Sequence, residues 1–213
     1  MTRKAIREQV VTLLRQPDFA ALVELAGKMN GLPELLLRFC YDPTDLLTWR
    51  AIEGLGHLAA AYPDQVKKII NRLLYLLNED SGSTGWGAAA ALGEIGRHNL
   101  PLVRDIIPMF CGYLENKFSR STMLWGIARL AEVHPQVLEE TIPFILPCLD
   151  DPNPTVQALS ARCLGLLKVS AAREPLTALQ NNPQTVQIYD QCRINRTTVG
   201  QVAKEALGVL EGA

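Results

Sequence analysis

The stretch Trp86-Gly87-Ala88-Ala89-Ala90-Ala91-Leu92-Gly93-Glu94-Ile95-Gly96 constrains the fold more than any other. Its Gly and Ala residues let neighbouring backbones approach closely, and its few large apolar residues lock such a contact. The pattern returns in weaker form along most of the chain. Anchored on Leu92-Gly93, the matching pairs are Leu55-Gly56, Leu130-Ala131, Leu164-Gly165 and Leu207-Gly208, with leucines 37, 38, 34 and 43 residues apart. An apolar or aromatic residue stands six before the anchor (Trp49, Trp86, Leu124) and an apolar one three after it (Leu58, Ile95, Val133, Leu167, Leu210). Offsets of three and four share one helical face. Self-similarity at this period predicts a stack of helical repeats.

A second kind of helix is expected between the anchors, over 63–77, 101–115 and 135–149. Each of these begins at a proline (Pro63, Pro101, Pro135), whose missing N–H is harmless in a first helical turn. Pro108, Pro143 and Pro147 fall inside two of these patterns, so kinks or breaks are expected there.

The alternation resembles HEAT repeats. The Ala-rich Leu-Gly-Glu-Ile-Gly segment is similar to the short bacterial HEAT-like type named after phycobilisome lyases, and so is the turn Asp150-Asp151-Pro152-Asn153-Pro154-Thr155-Val156-Gln157. Gln157 stands where that family usually has Arg. The resemblance covers most of residues 33–213. It implies an all-α superhelix of about five helix pairs, a HEAT-like solenoid, with the anchor helices on the concave face. It says little about function, because such repeats serve many roles.

A single domain over 1–213 is expected, with residues 1–32 as an N-terminal helical cap. Residues 2–15 read as an amphipathic helix, with Ile6, Val10, Leu13 and Leu14 on one face and Arg3, Lys4, Arg7 and Arg15 around the rest. It reads first as a solvated cap and second as an arm for a membrane or an acidic partner. A second helix runs from about Phe19 to Met29 and ends at Asn30-Gly31. Ser83 or Thr84 is the expected N-cap of the anchor helix that follows. Near the C-terminus, Thr185–Tyr189 and Arg193–Thr198 alternate about Asp190-Gln191-Cys192, which predicts a β-hairpin inserted over 183–198. It serves either to cover the last layer or as a contact loop. Thr198 is placed to cap the final helix, Val199 to Leu210.

The formal net charge of −1 gives no global signature for nucleic acid. No apolar run approaches membrane-spanning length, and none at the N-terminus is long enough for a signal peptide. Five scattered cysteines without a CxxC suit reduced thiols in a cytoplasmic protein. Cys148 and Cys163 are expected on paired helices.

The search for chemistry comes up thin. His57, His98 and His134 lie on different helices, without a second His or Cys at metal spacing. Neither a phosphate loop, a GxSxG nor an HExxH occurs. No catalytic residue, cofactor or metal is therefore expected. The polar positions of the anchor helices form a stripe instead: Arg50, Glu53, His57, Glu94, Arg97, Arg129, Glu132 and Arg162, joined by Trp125. These nine are the candidate partner-binding residues, and the reading is a non-catalytic scaffold or adaptor for another protein. The tryptophans Trp49, Trp86 and Trp125 suit either interlayer packing or a binding surface. The alternative is a HEAT-like enzyme, either a chromophore lyase or a DNA glycosylase for alkylated bases. The glycosylase family's Trp–carboxylate pair is loosely matched by Trp49 and Glu53, but the near-neutral ladder argues against nucleic acid.

Overall fold

A computed structural model describes residues 2–78 and 86–212. The caps proposed at Ser83 and Thr84, and the side chain of Trp86, lie outside the described residues. The chain divides into two compact units, one up to Val103 and one from Arg104.

The first unit is helical. It contains α1 (Arg3–Arg15), α2 (Phe19–Lys28), α3 (Leu32–Leu37), α4 (Leu46–Ala61), α5 (Pro63–Asn78) and α6 (Trp86–His98). Three of these start where a polar side chain satisfies an orphan amide. The Thr2 hydroxyl accepts from the Ala5 amide at 3.2 Å, Asp18 from that of Ala21 at 3.0 Å, and Asp45 from that of Leu47 at 2.9 Å. Gly31 takes φ +86° between α2 and α3, a backbone conformation open to glycine. The core lies around α4, which packs against α1, α2, α3, α5 and α6. Ile52, Leu55 and Leu58 of α4 are fully buried, with Leu14 and Leu22. Burying each such side chain contributes roughly 1.5–3 kcal/mol. The small anchor residue has a direct geometric reason: a Cβ on Gly56 would stand 3.0 Å from the Glu94 carbonyl of α6 and 2.6 Å from the His98 ring.

The second unit contains α7 (Phe110–Glu115), α8 (Arg120–Ala131), α9 (Ile142–Ile145), α10 (Pro154–Leu166), α11 (Arg173–Leu179), the strands β1 (Thr185–Asp190) and β2 (Arg193–Thr198), and α12 (Val199–Glu211). The expected helix over 135–149 is instead a chain of 3₁₀ turns around the short α9. The 101–115 segment becomes α-helical only from Phe110. Pro108, Pro143 and Pro147 explain this. Each removes an amide donor and crowds the preceding turn, so the chain tightens into short 3₁₀ pieces. The anchor helices α8, α10 and α12 carry no internal proline, remain regular, and stack in sequence order. α10 and α12 meet at Gly165, where a Cβ would lie 2.8 Å from the Ala206 Cα.

β1 and β2 pair antiparallel, Thr185 opposite Thr198 and Asp190 opposite Arg193. The connection is Gln191-Cys192, at φ +49° and +61°. Positive φ at both central residues is the signature of a two-residue type I′ hairpin. Neither residue is glycine, and the Asn195 side-chain amide supports the turn by donating to the Asp190 carbonyl at 3.0 Å. Val186, Ile188 and Tyr189 are buried, and the hairpin packs on α10 and α12. Thr198 caps α12 as expected, accepting from the Gln201 amide at 3.1 Å.

Candidate functional site

The nine candidate residues separate into two groups, one in each unit. In the first unit, Glu94 of α6 is completely buried. Its carboxylate accepts from Arg97 at 3.2 Å and lies 3.1 Å from the His98 Nε2. His57 of α4 stacks on Phe19, with ring centroids 4.6 Å apart, and its other neighbour is the His98 ring at 4.8 Å. Glu53 is buried one turn earlier on α4. Arg50 reaches across to the end of α1 and donates to the carbonyls of Leu14 and Arg15 at 3.1 and 2.7 Å. Those are last-turn carbonyls, which a cation satisfies well. The Trp49 indole donates to the Pro43 carbonyl at 2.8 Å, within the turn that leads into α4.

Burial holds the His57 imidazolium pKa below its ordinary 6.5, and the neighbouring His98 pushes it the same way. Glu53 and Glu94 act in the opposite direction, and Arg97 adds a smaller lowering effect. The sign follows from proton binding. A depressed folded-state pKa means that the unfolded chain takes up the proton more readily, so stability falls as pH drops through the ordinary imidazole range. Thermal melts between about pH 7.5 and about pH 5 should show a falling midpoint. His57→Phe should flatten that slope. An unchanged slope would remove His57 as its source.

In the second unit, Trp125 of α8 is 2% exposed. Its indole N–H donates to the Tyr189 carbonyl of β1 at 2.9 Å, and its ring lies 6.1 Å from that of Tyr189. The Arg129 guanidinium sits 5.6 Å over the Trp125 ring, a cation–π contact. Four charges then close into a cycle. Arg129 pairs with Glu132 at 3.0 Å, Glu132 with Arg162 at 3.2 Å, Arg162 with Asp190 at 3.1 Å, and Asp190 returns to Arg129 at 3.9 Å. The cycle is electrically neutral. Each side chain is held by two others, which lowers the entropy lost per pair relative to an isolated surface ion pair. Beside it, the hairpin, α10 and α12 enclose an open cleft of about 440 Å³. Its walls combine Arg162, Asp190, Glu205 and Thr197 with apolar Ile188, Val202 and Val209.

Sequence reasoning did not find Tyr189 and Asp190. The alternation that revealed the strand gives no sign of what its carbonyl and carboxylate face, because their partners lie tens of residues earlier. His98 was missed as a partner of Glu94, although its i+4 spacing is a readable signal.

Burial acts against thiolate formation at four of the five cysteines. Burial pushes Cys40 up to about 12 and also raises Cys111, Cys148 and Cys163. No disulfide joins any of the five cysteines. Among the described residues, no group of three or more His, Cys, Asp or Glu is placed to hold a metal ion. No described helix is long and apolar enough to cross a membrane.

Comparison with known proteins agrees with this architecture. Residues 119–167, spanning α8 to α10, match the family model described as the HEAT-like repeat. An uncharacterized protein of Archaeoglobus fulgidus is 24% identical over 178 residues, 81% of this chain and 94% of that protein. An uncharacterized phycocyanin operon protein Z of Pseudanabaena tenuis is 29% identical over 131 residues, 60% of this chain and 61% of that protein. Among solved structures, an engineered protein has a TM-score of 0.59 at 18% identity, covering 100% of this chain and 94% of its own. A designed armadillo repeat protein solved in complex with the peptide (KR)4 has a TM-score of 0.52 at 17% identity, covering 95% and 98%. Its repeated anchor helices, its HEAT-like repeat match at 119–167 and these solenoid neighbours together give an all-α fold of the helical-repeat type, with a β-hairpin before the last helix.

Proposed function

We propose that this chain is a non-catalytic binding module for another protein, with the partly exposed stripe residues Arg50, His57, Arg97, Glu132 and Arg162 among its contact groups. In the second unit, the cleft between the hairpin, α10 and α12 takes a side chain of the partner. The observation that carries this reading is the composition and setting of that cleft. It is open, has apolar walls at Ile188, Val202 and Val209, and holds convergent polar groups at Arg162, Asp190 and Glu205. A few fixed polar groups on an apolar surface provide orientation as well as affinity. Arg162 and Asp190 are oriented by their mutual ion pair, so little ordering remains to be done on binding. The fold supports the reading in a general way, since one designed armadillo neighbour holds a peptide.

The test uses the double variant Glu205→Arg, Val209→Asp. Both positions are exposed and border the cleft, so helix content by circular dichroism should equal that of the wild type. Wild-type protein used as bait in a native lysate should retain a partner that the variant binds at least about tenfold more weakly. Equal retention by both would remove the cleft from the binding surface, and the absence of any protein partner would sink the module reading.

A further inference from the structure

The first unit carries a separate charged cleft of about 530 Å³, formed where the start of α1 faces the α2–α3 connection and α3. Its rim holds Arg3, Lys4, Arg7 and Arg38 against the single carboxylate of Glu34, and its apolar wall is Ile6 and Leu35. Four cations and one anion give +3 locally, in a chain whose total is −1. Among the described residues, none of the four cations forms an ion pair. Arg7 is held in place by stacking, its guanidinium 5.4 Å over the Phe39 ring, which engages the face of the group and not its N–H edge.

The helix itself makes this arrangement unfavourable in isolation. The first turn of α1 has no acidic residue, while Arg3 and Lys4 sit at the positive end of the helix dipole. A cation placed there is disfavoured. Anionic groups entering the cleft would relieve that repulsion and meet the cations directly.

We propose that this cleft is a docking site for an acidic segment of a partner protein, in which a bulky apolar residue is flanked by carboxylates. The apolar wall favours a polypeptide over a nucleic acid, whose backbone offers phosphates but no apolar side chain. A membrane surface fits less well. The apolar residues Val10 and Leu14 of α1 are fully buried within the unit, so they are not available to enter a bilayer, and the charged surface is concave. This site is distinct from the hairpin cleft, and either reading can fail without the other.

Fluorescence anisotropy with a labelled peptide Glu-Glu-Leu-Glu-Glu decides the matter. The intact chain should bind it, more weakly as salt rises, and should not bind the peptide with Gln in place of every Glu. The double variant Arg3→Glu, Arg7→Glu and the single variant Arg38→Glu should each bind at least about tenfold more weakly. Arg15→Glu, on the same helix away from the cleft, should bind as the wild type does. An acidic residue at position 3 favours the start of α1, and wild-type helix content by circular dichroism in the double variant separates a loss of binding from unfolding. Undetectable peptide binding, equal binding of the Gln peptide, or full binding by the cleft variants would each overturn the proposal. Vesicles of equal parts phosphatidylcholine and phosphatidylserine provide the remaining arm. Their capture by a chain that ignores the peptide would also overturn it, in favour of a membrane site.

Discussion

Trp125→Ala should lower the unfolding free energy by about 3–5 kcal/mol, the largest loss expected from a single truncation in the second unit. Three contributions combine. The indole is 2% exposed, so its removal leaves a cavity under the hairpin. The Tyr189 carbonyl loses the N–H that bonds it at 2.9 Å. Arg129 loses the ring beneath it, which loosens the four-charge cycle. Trp125→Phe keeps most of the volume and should lose about 1–2 kcal/mol, the worth of the hydrogen bond and the size difference. Urea unfolding followed by circular dichroism measures both. Limited trypsin digestion adds a local readout, because Arg193 and Arg196 on β2 are exposed. The alanine variant should be nicked there well before the wild type. A loss below about 1 kcal/mol, within the range of ordinary surface changes, would mean that the hairpin is held chiefly by α10 and α12.

Glu94→Lys is the corresponding expectation in the first unit, a loss of about 3 kcal/mol or more. The carboxylate is completely buried, with Arg97 and His98 on it. Reversing the charge places an ammonium beside an arginine and takes the Glu94 carboxylate away from both Arg97 and His98 in a partly desolvated site. Breaking a buried pair is strongly destabilising, about 3–5 kcal/mol when both partners are buried. Arg97 and His98 retain 26% and 18% side-chain exposure, which places the expected value at the lower end. Glu94→Gln, which keeps the shape and one acceptor, should lose about half as much. If the lysine variant unfolds at the same urea concentration as the wild type, Glu94 is not a structural anchor. Because stability and binding would change together in this variant, it is a poor probe of a partner. The exposed pair Glu205 and Val209 serves that purpose better.

Much of the fold was legible because a repeat writes the same requirement several times. Gly56 and Gly165 occupy the same register in two echoes, and in each case a side chain would collide with the next anchor helix. The hairpin was legible for a different reason: alternation over Thr185–Tyr189 has no helical reading, and Thr198 marks where helix resumes. The proline-started segments were only partly legible. Pro108, Pro143 and Pro147 announced interruptions, but whether a helix kinks or dissolves into 3₁₀ turns depends on packing available to the fragments.

The candidate stripe shows where sequence reading stops. Spacing alone put Arg129 and Glu132 one turn apart on α8 and Arg162 on a neighbouring anchor helix, so their polar face followed from helical geometry. It could not place Asp190 against both arginines, or the Tyr189 carbonyl on the Trp125 indole. Those contacts join groups 28 to 64 residues apart. Nor could it distinguish the completely buried Glu94 from Glu132, whose side chain is 21% exposed, at the same anchor offset. The sequence by itself determined the repeat, the small-residue contacts and the hairpin, because each follows from local periodicity and steric size. Only the tertiary structure decided which charges neutralise one another and which surround an open cleft, because that depends on distances between elements that local periodicity does not encode.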